Sequence, residues 1–295
     1  MNSVTQQNEH ANLPPQEGPG GEKSFFGIII HSFFVVPFLI AVFCILLFVA
    51  VRLLTVEQHT MYDYLNDVKT GSLTKRWQSA FELSKLVLAS EKIPKEERFI
   101  SELTSAFEHA RHDDNRVRQY LALAMGRSGD ERFVKPLVGA LKDEKEENLY
   151  AVIYALGMLK DKNTAGNLSE FAAHPNPRIR LITVMALGNL SSENSVKILK
   201  EALNDREPNV QWDAAVALAK MNDASGRNIL LKLLNRNYLA SFPEIDQQEQ
   251  THILLVAIEA GSHLKDFEIN EAIDGLAKND QNMKVRQAAM SVAKN

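Results

Sequence analysis

Four short segments spaced 31 residues apart constrain this chain more than any other feature in it. They are Ala124-Met125-Gly126, Ala155-Leu156-Gly157, Ala186-Leu187-Gly188 and Ala217-Leu218-Ala219. Other columns keep the same register. Leu137, Leu168, Leu199 and Leu230 form one; Leu141, Ala172, Leu203 and Leu234 form another. A third holds Asp130, Asp161, Ser192 and Asp223, all residue types that cap helix N-termini by accepting from free backbone N–H groups. Asn176-Pro177 and Glu207-Pro208 place proline where a first helical turn tolerates a missing N–H. The unit is therefore a pair of helices joined by a tight capped turn, with small residues on the first helix and leucines on the second. One such pair cannot cover its own apolar face, so the pairs must stack. The expected fold is all-α, an α-solenoid of helical hairpins.

Further copies emerge once insertions are allowed. Ala80-Phe81-Glu82-Leu83-Ser84 matches the first-helix core upstream, and Val256-Ala257-Ile258 matches it downstream, 40 residues after its counterpart. Val285 to Lys294 reads as a last first-helix without a partner. This predicts about five full pairs plus a terminal helix over residues 73–295. The Arg118, Arg180 and Arg286 positions, the Ala-Leu-Gly segments and the capped second helices resemble HEAT repeats, in particular the PBS-lyase HEAT-like subtype. The resemblance covers about three quarters of the chain. It implies a scaffold or docking surface and carries no phycobilin chemistry with it, because this repeat serves many unrelated tasks.

A different kind of segment precedes the repeats. Residues 1–24 are rich in Gln, Asn, Pro and Gly and read as a flexible tail. From Phe25 to Val51 there is no charge, and His31 and Ser32 are the only clearly polar side chains. As a helix this run would extend roughly 40 Å against a hydrocarbon core of about 30 Å. We therefore expect one transmembrane helix over 25–54, with Pro37 tolerated inside it, and a juxtamembrane linker or helix over 55–72. A signal peptide fits less well, since the leading segment is acidic and no small-x-small cleavage site follows. Arg52, Lys69, Lys75 and Arg76 follow the span whereas only Lys23 closely precedes it, which predicts a single-pass protein with a cytoplasmic C-terminal domain.

Charge and composition narrow the chemistry. Net charge is −4, without the basic footprint of a general nucleic-acid binder, so no nucleic acid is expected as a partner. The only cysteine, Cys44, lies in the apolar run and leaves no intrachain disulfide to form. Glycine-rich phosphate loops and hydrolase elbows are absent. The one polar cluster is Glu108-His109-Ala110-Arg111-His112-Asp113-Asp114. It reads either as a polar helix end leading into a capped helix or, alternatively, as a metal site serving an enzyme or an enzyme accessory subunit. Its spacing matches no strong zinc pattern. HEAT-like hydroxylases that bind iron through His-Glu dipeptides offer a precedent, but no His-Glu dipeptide occurs here. We assign no catalytic, cofactor-binding or metal-binding residue and expect no cofactor.

Two features remain as candidates for contact with a protein partner. The second helices carry Lys135, Lys142, Lys197, Lys200 and Lys232 against Glu170 and Glu201. This is either a basic stripe able to receive an acidic segment or an ordinary solvated face. The segment from about Asn235 to Gln248 departs most from the repeat and brings in Tyr238, Leu239, Phe242, Pro243 and Ile245. Tyr238, Phe242 and Ile245 either meet a partner or fold back over the groove between repeats.

Overall fold

The computed structural model describes residues 31–55, 59–89, 93–142 and 145–292. The tail at 1–24 and the beginning of the apolar run at 25–30 lie outside the described residues. The chain divides into two compact units, 1–58 and 59–295.

In the first unit a π-helical turn, His31–Val35, leads into α1, Val36–Thr55. Pro37 has no N–H to donate and its ring crowds the carbonyl four residues back, so the ladder widens here before regular helix begins. The segment Phe33–Arg52 is 20 residues long and none of it is buried. It extends about 30 Å, the thickness of a bilayer's hydrocarbon core. Phe33, Phe38, Phe43 and Phe48 all stand largely exposed.

The second unit is a stack of helical hairpins. Its first-layer helices are α3 (Leu73–Ala89), α5 (Asn115–Ser128), α7 (Glu146–Leu159), α9 (Pro177–Leu190), α11 (Pro208–Lys220), α14 (Gln247–Gly261) and α16 (Met283–Val292). Each packs on the next. Their partners are α4 (Glu97–His109), α6 (Val134–Ala140), α8 (Ala165–Leu168), α10 (Glu193–Ala202), α12 (Arg227–Leu233) and α15 (Phe267–Asn279). A short helix, α13 (Arg236–Leu239), lies between α12 and α14. Among the described residues this makes six full pairs and a closing helix, one pair more than the repeat count from sequence. Residues 55–72 supply a further element. Helix α2 (Met61–Thr70) begins at a capping box formed by Thr60 and Asp63, and packs on α3 and α4 through Met61, Leu65 and Val68. The hydrophobic core thus starts before residue 73.

The sequence columns have physical counterparts. Met125, Leu156, Leu187 and Leu218 are fully buried, as are Leu137, Leu168, Leu199 and Leu230. Asp130, Asp161, Ser192 and Asp223 each accept from a backbone N–H two or three residues on, at 2.8–3.1 Å. The small-residue column is the seam between repeats. A Cβ added to Gly126, Gly157 or Gly188 would come within 2.6–2.9 Å of Ala155, Ala186 or Ala217 on the following first-layer helix. Helices at that separation leave no room for a side chain.

One further regularity was not legible as a column. The residue before each cap, Gly129, Lys160, Ser191 or Asn222, is left-handed, with φ between 48° and 66°. The chain must reverse within one residue there, and αL geometry permits it. Arginines fasten the turn that leads into three of the first-layer helices. Buried Arg180 makes a two-pronged ion pair with Asp205 at 2.7 and 2.9 Å and donates to the carbonyls of His174 and Pro175. Arg118 lies over the Phe107 ring and donates to its carbonyl, and Arg286 donates to the carbonyls of Asp280 and Gln281.

Candidate functional site

The insertion after α12 is built onto the stack. Asn235 caps α13 by accepting from the N–H groups of Asn237 and Tyr238, and Asp246 caps α14. Arg236 clamps the segment to the far end of α15 through a two-pronged ion pair with buried Asp280, at 2.9 and 3.0 Å. Leu239 is fully buried and Ile245 nearly so. Tyr238 and Phe242 are half-buried and meet Trp212 of α11 in edge-to-face contacts. Ring centroids are 5.1 Å apart for Trp212 and Phe242, 5.3 Å for Tyr238 and Phe242, and 6.3 Å for Trp212 and Tyr238. Lys232 reaches over the Tyr238 ring at 5.9 Å. Three rings in mutual contact form a rigid cluster on the seam between α11 and α14.

Beside this cluster lies a cavity of about 360 Å³. Trp212 and Phe242 contribute aromatic wall, Val216, Ile253 and Val256 aliphatic wall, and Ile245 reaches it from the core. Asp213 also faces it. Among the described residues no hydrogen bond or ion pair engages the Asp213 carboxylate, and burial pushes its carboxyl up to about 6. This residue went unnoticed in the sequence, yet its column marks it. The positions one, two and three repeats earlier hold Ile182, Ala151 and Tyr120, the first two of them buried. A carboxylate has entered a column of packing residues.

The lysines divide into two kinds. Lys200 pairs with Asp223 at 2.8 Å, so a repeat cap already uses its charge. Lys135, Lys142 and Lys197 are exposed and make no ion pair among the described residues.

Around His109 the polar groups serve the turn between α4 and α5. The His109 ring donates from Nδ1 to the Ser105 carbonyl at 2.7 Å, and Asp113 pairs with Arg76 at 2.8 Å. Asp114 caps α5 and grips Arg116, whose hydrogen bonds hold its carboxyl down at about 2. His112 is exposed. Among the described residues no three metal-ligating side chains converge, here or elsewhere.

The HEAT-repeat family model matches residues 100–172 and 164–239. None of the curated proteins matches the sequence. Among solved structures, the complex of CpcE and CpcF of phycocyanin lyase from Nostoc sp. PCC7120 is similar with a TM-score of 0.53 and 20% identity, over 81% of this chain and 96% of that one. The archaeal HEAT-like repeats protein from Thermococcus onnurineus NA1 gives 0.45 and 16%, over 81% and 97%. At 20% identity the likeness to the first of these is one of fold.

Proposed function

We propose, from the premise that residues 100–172 and 164–239 of this chain are HEAT repeats, that the protein is a membrane-anchored scaffold which holds a protein partner against its solenoid. One observation carries the reading. The chain that stacks these hairpins also presents a 20-residue apolar helix of which nothing is buried, and a bilayer is the solvent that suits such a surface. The basic residues Arg52, Lys69, Lys75 and Arg76 after the span favour a cytoplasmic solenoid. The packing columns are spent on the core, which leaves the exposed lysines and the aromatic insertion as the distinctive surface. Lys135, Lys197, Lys232, Tyr238 and Phe242 are the proposed partner contacts, with Ile245 supporting them from below and Lys200 held by Asp223.

Photo-crosslinking in native membranes tests this. A benzophenone amino acid placed at Lys135, Lys197 or Tyr238 should yield a shared protein adduct that exposed Met185 on the first-layer helix α9 does not give. Failure to capture any protein from all three positions would refute the scaffold reading.

A further inference from the structure

The cavity beside Trp212 has walls of one electrostatic kind. Four carboxylates line it: Glu207, Asp213, Glu244 and Glu249. No lysine or arginine is among its lining residues; the one basic side chain is His252. Among the described residues none of the four carboxylates is held in an ion pair, although elsewhere Asp205, Asp223, Asp266 and Asp280 all are. Between the carboxylates lie the aromatic surfaces of Trp212 and Phe242 and the aliphatic side chains of Val216 and Ile253. An unpaired carboxylate in a half-buried position costs stability, and a fold keeps such a group where a ligand repays it.

Building on the scaffold reading, we infer that this cavity receives an arginine or lysine side chain from a basic segment of the partner protein. The walls match both halves of such a side chain. Its aliphatic stem suits Val216 and Ile253, its cationic head suits aromatic rings and carboxylates, and that head gives Asp213 the counter-charge that no lysine or arginine lining the cavity supplies. A bare divalent ion is a poorer occupant, since it needs several oxygens converging on one point, and no three candidate ligands converge here. The fixed edge-to-face packing of Trp212 and Phe242 holds the aromatic wall in place before binding, so little ordering is left to pay for when the guest arrives.

The test uses the full chain in detergent micelles and a fluorescent Gly-Arg-Gly-Arg-Gly peptide, read by anisotropy at low ionic strength. The arginine peptide should bind at least tenfold tighter than its citrulline counterpart, which keeps the shape and loses the charge. Asp213→Asn, close to isosteric, should cut that affinity at least fivefold with the melting temperature unchanged or raised. Trp212→Leu should also weaken binding. Glu170→Gln, an exposed acidic position outside the cavity, should not. Equal binding of the citrulline peptide, unchanged affinity in Asp213→Asn, or an equal loss in Glu170→Gln would each overturn the assignment. So would self-association of the full chain that disappears with Asp213→Asn, because a second copy would then be the occupant. Failure here with successful crosslinking from Lys135 or Lys197 would remove the cavity and leave the scaffold standing.

Discussion

At the scale of single residues, this chain shows what a repeat spends and where it deviates. Lys160, Ser191 and Asn222 adopt the left-handed conformation that Gly129 adopts at the same place in its own repeat. The column was hidden from sequence reading because four different residue types fill it; backbone geometry, not side-chain chemistry, unites them. Asp213 is the opposite case, a polar residue standing where its counterparts pack. Its carboxyl keeps a proton up to about pH 6 in the folded chain, whereas an unfolded aspartate loses it near 4. Between those values the folded state binds more protons, so stability falls as pH rises, and above pH 6 the full penalty, up to about 3 kcal/mol, is in force. Glu207, Glu244, Glu249 and His252 line the same cavity and are common to both proteins in the comparison that follows. Asp213→Asn should therefore be more stable than the parent at pH 7.5 and equal to it below pH 4, as measured by chemical denaturation across pH. A constant difference at all pH values would mean that Asp213 does not titrate as its burial requires.

At the scale of elements, the seam between hairpins is set by the smallest side chains. Gly157 approaches Ala186 so closely that an added Cβ would lie 2.8 Å from both its Cα and its Cβ. Gly157→Val must push α7 and α9 apart, and should cost about 2–4 kcal/mol. Gly139 offers the control: nothing lies within 4 Å of an added Cβ, so Gly139→Ala should be neutral or slightly stabilising. Urea denaturation of both variants checks the pair, and a Gly157→Val protein as stable as Gly139→Ala would show that the helices are not in contact there. Caps, leucines and the Gly–Ala seam were legible because local chemistry dictates them: each needs one residue type at one position. The ion pairs of Arg180 with Asp205 and Arg236 with Asp280 join residues 25 and 44 positions apart, and no local pattern announces such a contact. The same holds for α2, whose short amphipathic stretch reads as linker or helix, and whose packing shows only once α3 and α4 are there to cover it. Of the candidate site, Tyr238, Phe242 and Ile245 stood out as a departure from the repeat. Their joining with Trp212 and Asp213 depends on how the insertion folds back, and spacing alone did not give it.

At the scale of the whole molecule, two regions present opposite surfaces. The stacked hairpins bury their leucines, cap their turns and hydrogen-bond their buried arginines, as a chain in water must. Helix α1 does the reverse: among the described residues its phenylalanines, leucines and isoleucines stand largely exposed and none of Phe33–Arg52 is buried. A solenoid docking surface tied to a bilayer would meet its partner in two dimensions at raised local concentration, which lets modest contacts suffice. That account stands or falls on whether the chain is integral to a membrane, and alkaline carbonate extraction of membranes from cells expressing the full-length protein decides it. The account predicts that the protein stays in the pellet after carbonate treatment and leaves it only with detergent. Release into the carbonate supernatant would contradict it.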